Sequence, residues 1–62
     1  MFINDAPIGI IFKENNAIFM KIDTVFNISH KYLNVVCLKG NNIYQKGKTY
    51  CFFENHKIEK EI

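Results

Sequence analysis

The sequence predicts an all-β fold, and two observations in its second half indicate this. Apolar residues there do not follow the three- and four-residue spacing of an amphipathic helix. They fall instead in short runs at 35–38, 43–44 and 50–53. Gly40, Asn41, Asn42 and Gly47 separate the runs, and these residue types tolerate the backbone angles of tight turns. We therefore expect three antiparallel strands joined by tight turns in this part of the chain.

The first half predicts a hairpin. After a short apolar lead and a turn ending at Pro7, residues 8–12 alternate in a strand pattern, with Gly9 as a bulge or a close backbone approach. The polar residues 14–16 predict a turn. Residues 17–23 then alternate again, which predicts a second strand paired with the first.

Two segments have less regular patterns. We interpret residues 24–32 as a loop with apolar anchors, although a short helical turn also fits them. The tail, residues 54–62, fits either a last strand or a frayed terminus. The whole chain thus predicts one domain over residues 1–62, a meander of five or six antiparallel strands. Curling into a small open, SH3-like barrel would limit its exposed edges.

The strand at 35–38 is apolar on both faces. Val35 and Cys37 share one face, while Val36 and Leu38 share the other. In an antiparallel sheet with one solvent-exposed face, apolar and polar residues alternate more regularly along each strand. The second face must therefore be covered by the rest of the chain or by another subunit. A chain of 62 residues has only a marginal core. We therefore expect a homo-oligomer.

The composition limits the functional classes. The net charge is only +2, and the chain has no Arg, so nucleic-acid binding is not favoured. No stretch is long and apolar enough for a membrane span, and the N-terminus lacks the pattern of a secretion signal. We expect a cytoplasmic protein. Abundant Ile, Lys and Asn indicate an A/T-rich genome.

Short pieces along most of the chain carry a resemblance. They are PIG at 7–9, IF at 11–12, IFMKI at 18–22 and NVVCL at 34–38, followed by Gly40, Phe53 and Ile58. Together they resemble small β-proteins encoded by bacteriophages. The resemblance implies a phage accessory protein acting in the host cytoplasm, and such proteins often counter host defence. The chain departs from this pattern at 24–32 and 43–49.

Residues with catalytic or metal-binding chemistry are few and poorly spaced. Cys37, Cys51, His30 and His56 are the types that bind zinc, but they form no C-x-x-C or paired-His motif. Reduced thiols are expected in the cytosol. Ser29 next to His30 does not make a nucleophile–base pair, because adjacent side chains usually point apart. We predict no metal, no cofactor and no enzymatic activity.

A polar and aromatic stretch is the main candidate for ligand binding. Lys supplies positive charge to phosphate, Asn offers hydrogen bonds and Tyr offers a stacking face. Its residues are Lys39, Asn41, Asn42, Tyr44, Lys46, Lys48 and Tyr50. A solvated hairpin explains the same residues without a ligand. The loop with His30, Lys31 and Tyr32 is a second candidate.

Three functions fit these features. The first is sequestration of a small phosphorylated, nucleotide-like signal molecule, which needs no catalytic residue. The second is inhibition of a host enzyme through a hydrophobic patch or an edge strand. The third is single-stranded nucleic-acid binding by a small barrel, which the low charge disfavours.

Overall fold

The computed structural model describes residues 1–26, 32–53 and 55–62. In these ranges the chain forms a five-stranded antiparallel sheet with almost no helix, so the predicted all-β class is confirmed. The elements are the 3-10 helix η1 (Ile3–Asp5) and the strands β1 (Ile11–Glu14), β2 (Ala17–Phe26), β3 (Tyr32–Lys39), β4 (Thr49–Tyr50) and β5 (Lys60–Glu61).

The predicted hairpin in the first half is confirmed. β1 pairs antiparallel with β2, and Phe12 lies directly opposite Phe19. The turn consists of Asn15 and Asn16, whose φ angles are 50° and 65°. Positive φ at both central residues gives the backbone twist that matches two right-twisted strands, and Asn tolerates it better than most residues.

The strand order is β4-β3-β2-β1-β5. The first four strands form the predicted meander, and the tail then returns to the free edge of β1, where Lys13 pairs with Lys60. The tail is therefore a strand at residues 60–61. β4 and β5 remain as the two edges of an open sheet, so the predicted barrel is not confirmed.

The predicted first strand begins too early. The Ile10 amide donates to the Pro7 carbonyl at 3.2 Å, so the chain turns here, and the strand starts at Ile11. Gly9 has φ 94°, and its amide donates to the Lys21 carbonyl at 2.8 Å. The positive φ of Gly9 thus lets the turn form a backbone hydrogen bond with Lys21 of β2.

The prediction of a loop at residues 24–32 is wrong at both of its ends. β2 continues to Phe26, and β3 begins at Tyr32. Val25 pairs with Leu33. A shift in register between Lys21 and Val25 breaks the alternation, which is why the pattern did not indicate a strand there. The middle of the predicted loop lies outside the described residues.

The predicted strand at 43–44 is also wrong. Both amides donate to the side-chain oxygen of Asn41 at 2.8 Å, so this segment is a compact loop. The Tyr44 ring packs against the core. The predicted strand at 50–53 is shorter than expected, because only Thr49 and Tyr50 pair with β3.

One face of the sheet, here called the core face, carries the buried residues. Phe12 and Phe19 are fully buried and stack with ring centroids 5.7 Å apart. Phe52 crosses over them with centroid distances of 5.9 Å and 5.1 Å. The remaining core residues are Ile3, Ala6, Ala17, Val35, Cys37 and Ile58.

Segments from both ends of the chain cover the core face. The Ile3 amide donates to the His56 carbonyl at 2.8 Å, and the Ile58 amide donates to the Met1 carbonyl at 2.7 Å. The Lys21 ammonium donates to the Ala6 carbonyl at 2.6 Å, which fixes the end of η1 on the sheet. Hydrogen bonds between the two end segments thus close the core.

The opposite face, here called the outer face, has an apolar row across its centre. Ile11, Met20 and Val36 are paired in register across three strands, and each is half-buried. Leu38 on the same face is 37% exposed. The expected alternation on β3 is confirmed, since Val35 and Cys37 are buried on the core face.

Candidate functional site

Four asparagines meet at one end of the sheet, which we call the asparagine end. Asn15 and Asn16 form the β1–β2 turn, and Asn41 and Asn42 follow β3. Together with Ile43 they line an open depression of about 570 Å³. Side-chain amides both donate and accept hydrogen bonds, so this depression suits a small polar ligand.

Asn41 holds the asparagine end together. Its Nδ2 donates to the Asn15 carbonyl at 2.6 Å, while its Oδ1 accepts from the amides of Ile43 and Tyr44. Its own amide donates to the Tyr44 carbonyl at 2.9 Å. Asn41 is therefore a structural residue that joins the β3–β4 loop to the hairpin turn.

Gly40 permits this loop to pack closely. A Cβ at this position would lie 2.6 Å from the Tyr44 carbonyl oxygen and 3.1 Å from the Lys46 amide nitrogen. These are backbone atoms, which cannot rotate away as a side chain can. A residue larger than glycine would thus push the loop away from β3.

Lysines lie beside the asparagine end on the outer face, in what we call the lysine row. Lys60 pairs with Lys13, Lys13 with Ile18, and Ile18 with Lys39. Directly paired residues share a face, so the three ammonium groups project from one side of the sheet. All three lysines are exposed, and none has a carboxylate within 4 Å in the described part of the chain.

A second open groove adjoins the asparagine end. It has a volume of about 500 Å³ and is lined by Lys13, Glu14, Asn15, Asn16, Glu59 and Lys60. Glu14 is hydrogen-bonded to His56, with Oε1 and Nε2 3.2 Å apart. The two carboxylates make this groove less favourable for an anion than the side next to Lys39.

The two tyrosines of the predicted site pack against the core. Tyr44 lies edge-to-face against Phe19 with centroids 4.9 Å apart, and against Tyr50 at 5.1 Å. The Tyr50 hydroxyl accepts from the Gln45 amide at 2.7 Å. Both rings thus have structural contacts that limit stacking on a ligand.

The other predicted site residues fall into two groups. Lys46 and Lys48 are exposed and flank Gly47, whose amide donates to the Cys37 carbonyl at 2.8 Å. They therefore lie along β3 close to Lys39. Tyr32 begins β3 at the far end of that strand. His30 and Lys31 lie outside the described residues.

Four residues of this region were not predicted as ligand-binding residues from the sequence. Asn15 and Asn16 were assigned only to a turn, and Lys13 and Lys60 were not connected with a ligand. Their proximity depends on the pairing of β5 with β1 and on the bond from Asn41 to Asn15. An Asn-Asn pair between two alternating segments does indicate the hairpin, but not what packs against it.

The remaining reactive groups are separated. His56 is hydrogen-bonded to Glu14, and no hydroxyl or thiol within the described ranges is bonded to this pair. Cys37 is buried in the core, whereas Cys51 is exposed. Among the residues that the structure describes, His, Cys, Asp and Glu form no group of three suited to a metal ion.

Comparisons with known proteins give no relative. The chain matches no protein-family model, and neither the curated proteins nor the solved structures contain a significant match. No helix within the described ranges has the length and hydropathy required to cross a membrane.

Proposed function

We propose that this protein is a non-enzymatic binding protein that holds a small phosphorylated, nucleotide-like molecule at the asparagine end. The observation that supports the proposal is the meeting of exposed lysines and asparagine amides from separate parts of the sequence. We further propose that the chain is a phage accessory protein, as the sequence resemblance implies, and that it sequesters a signal molecule of host defence in the cytoplasm.

The charges at the asparagine end favour an anion on one side. Lys39 lies at the end of β3, immediately before the loop with Asn41 and Asn42. Lys46 and Lys48 lie beside β3, because Gly47 between them is hydrogen-bonded to Cys37 of that strand. A Lys ammonium is a compact charge suited to phosphate, and none of these three has a carboxylate partner in the described structure.

The amides supply the selectivity in this proposal. Asn15, Asn16 and Asn42 have exposed side chains that make no hydrogen bond within the described residues. Each offers both a donor and an acceptor, as a nucleobase edge or a ribose hydroxyl requires. With Tyr44 and Tyr50 packed in the core cluster, hydrogen bonds rather than ring stacking recognise the base.

Sequestration requires binding without turnover. The His56–Glu14 pair is the arrangement closest to acid–base chemistry, and the described structure places no nucleophile on it. Acyl transfer by a triad-like mechanism needs such a nucleophile within hydrogen-bond distance of the base. The proposed function therefore uses only the charges and amides of the surface.

Isothermal titration calorimetry with cyclic dinucleotides, cyclic trinucleotides and nucleotide sugars tests the proposal. We expect at least one of these compounds to bind, and we expect K39Q combined with K46Q and K48Q to reduce its affinity at least tenfold. The melting temperature should change little, because exposed lysines contribute little to stability.

K57Q is the matched control. Lys57 is exposed but lies on the cover of the core face, where it pairs with Phe2. Its loss should leave the affinity within about twofold, since screening weakens charges beyond a Debye length of about 8 Å. The proposal is wrong if no compound in the panel binds or if K57Q weakens binding equally. Tighter binding of a single-stranded oligonucleotide would instead support nucleic-acid binding.

A further inference from the structure

A four-residue pattern occurs twice in this chain. It reads KENN at residues 13–16 and KGNN at residues 39–42, and these two copies contain both Asn-Asn pairs of the sequence. In each copy a Lys precedes the first Asn by two positions. We call the copies the first and the second KxNN segment.

The sheet brings the two KxNN segments side by side. β1 and β3 are both antiparallel to β2, so they run in the same direction and carry their KxNN segments to the same end of the sheet. Lys13 and Lys39 both pair with Ile18, from its two sides. Because neighbouring strands lie about 4.8 Å apart, the backbones of the two lysines are about 10 Å apart. The bond from Asn41 Nδ2 to the Asn15 carbonyl, at 2.6 Å, joins the first asparagines of the two segments.

The second asparagine of each KxNN segment remains available to a ligand. Asn16 and Asn42 are exposed, and neither side chain makes a hydrogen bond within the described residues. The lysine of each segment is also exposed and has no carboxylate partner in that part of the chain. Each segment therefore presents the same two groups, one ammonium and one side-chain amide.

The two open spaces at the asparagine end adjoin each other. All four residues of the first KxNN segment line the groove of about 500 Å³, and both asparagines of the second segment line the depression of about 570 Å³. Asn15 and Asn16 line both spaces, so the spaces meet along the hairpin turn. Each volume lies within the range of small-molecule sites. A ligand built of two similar units fits this arrangement, with one unit in each space.

We propose that the ligand of the asparagine end consists of two nucleoside units joined by two phosphate groups, as in a cyclic dinucleotide. This inference rests on the proposed function and specifies the class of ligand. Lys13 and Lys39 bind the two phosphates from either side of Ile18, since the four-carbon stem of Lys is flexible. Asn16 and Asn42 each bind the edge of one base, because a side-chain amide both donates and accepts hydrogen bonds.

The carboxylates of the groove fit a base better than a phosphate. Glu14 pairs with the buried Ala17 and is hydrogen-bonded to His56, so it lies on the core face, away from Lys13. Glu59 also lines the groove. A carboxylate repels a phosphate but accepts a hydrogen bond from the exocyclic amino group of a base. The phosphates therefore lie between the two lysines on the outer face, and one base lies in the groove.

Joining the two units should raise the affinity strongly. Once one unit is bound, binding of the other is intramolecular, and such linkage raises affinity by about 10²–10⁴-fold when the geometry permits both contacts. A cyclic mononucleotide lacks this gain, because each molecule reaches only one KxNN segment.

Isothermal titration calorimetry with cyclic di-AMP and cyclic di-GMP tests this inference. Cyclic AMP and cyclic GMP are the single-unit counterparts, since each carries one phosphodiester instead of two. We expect one cyclic dinucleotide to bind with one molecule per chain and at least a hundredfold more tightly than its counterpart. K13Q and K39Q should each weaken this binding at least tenfold. K57Q, on the cover of the core face, is the matched control and should leave the affinity within about twofold.

The two asparagines are tested separately with N16G and N42A. Glycine tolerates the φ of 65° at position 16, so N16G keeps the turn and removes only the side chain. Each substitution should weaken binding of the cyclic dinucleotide at least fivefold with little change in melting temperature. In nuclear magnetic resonance titrations, the side-chain amide signals of Asn16 and Asn42 should shift at the same ligand concentration. The signal of Asn55, which is also exposed, should not shift.

The outcomes separate this inference from the proposed function. The inference is wrong, while the proposed function stands, if K39Q weakens binding and K13Q does not. The same holds if a cyclic mononucleotide, a nucleotide sugar or a cyclic trinucleotide binds at least as tightly as both cyclic dinucleotides. If none of these compounds binds, the proposed function fails and this inference fails with it.

Discussion

The side-chain amide of Asn34 makes the two hydrogen bonds to the backbone of Phe52 that a neighbouring strand would otherwise make. Its Nδ2 donates to the Phe52 carbonyl and its Oδ1 accepts from the Phe52 amide, both at 2.8 Å. Asn34 is the buried polar residue of the described core. It satisfies the backbone of Phe52 just after β4 leaves the sheet at Tyr50, so the chain can turn inward and place the Phe52 ring over Phe12 and Phe19.

We predict that N34A lowers the free energy of unfolding by about 2–4 kcal/mol, because it removes two hydrogen bonds and leaves a buried amide and carbonyl without partners. Urea denaturation measures the change. N34D should be at least as damaging, since it places a carboxylate against the Phe52 carbonyl. N42A is the control, and its effect should stay within about 0.5 kcal/mol. Equal effects of N34A and N42A would contradict this role of Asn34.

We predict that G40A displaces the loop at residues 41–46, because its Cβ would lie 2.6 Å from the Tyr44 carbonyl oxygen. The expected loss of stability is about 1–3 kcal/mol. Amide hydrogen exchange at Ile43 and Tyr44 should become faster, since their bonds to Asn41 are disturbed.

G9A serves as the comparison for this loop. The space around Gly9 is open, but its φ of 94° strains any residue with a Cβ. G9A should thus lower stability without changing exchange at Ile43 and Tyr44. If both variants change that exchange alike, the close contact at Gly40 does not control the loop.

Y50F should lower the free energy of unfolding by about 1 kcal/mol, the usual net value of one hydrogen bond. The hydroxyl accepts from the Gln45 amide, while the ring contacts with Phe19 and Tyr44 are preserved. Y50A removes the ring as well and should cost clearly more. Thermal denaturation of both variants separates the hydrogen bond from the packing, and no difference between them would be inconsistent with this structure.

The two cysteines should differ in their response to substitution. C37S places a hydroxyl in the core at a position only 1% exposed, which should cost about 1–3 kcal/mol. Cys51 is exposed, so C51S should change the free energy of unfolding by less than about 0.5 kcal/mol. Neither effect should depend on a chelator. Stoichiometric zinc in the purified protein, lost on either substitution, would refute this prediction.

Sequence patterns predicted those features of the fold that depend on residues close together in the chain, namely strand faces and turns. Alternation placed Val35 and Cys37 on one face of β3, because side chains alternate strictly along a strand. Turn chemistry located the hairpin at Asn15 and Asn16. The pattern failed at Ile43, where a single asparagine side chain supplies the hydrogen bonds that a strand partner would have supplied.

The candidate site was predicted only in part because it is assembled by distant contacts. Asn41 was expected to bind a ligand, yet its amide joins the loop to Asn15, 26 residues away in sequence. Lys13 meets Lys60 only because the tail returns to β1. Chain order carries no signal for either contact, since many polar residues of the same types occur elsewhere.

The closure of the core by segments far apart in sequence has a consequence for the folding rate. The amide of Ile3 is bonded to the carbonyl of His56, and β1 gains its outer neighbour only at Lys60. Phe12 and Phe19 are therefore fully enclosed only after these distant segments have met. We expect this domain to fold more slowly than a helical domain of similar size, because contacts of high sequence separation must form before the core is complete.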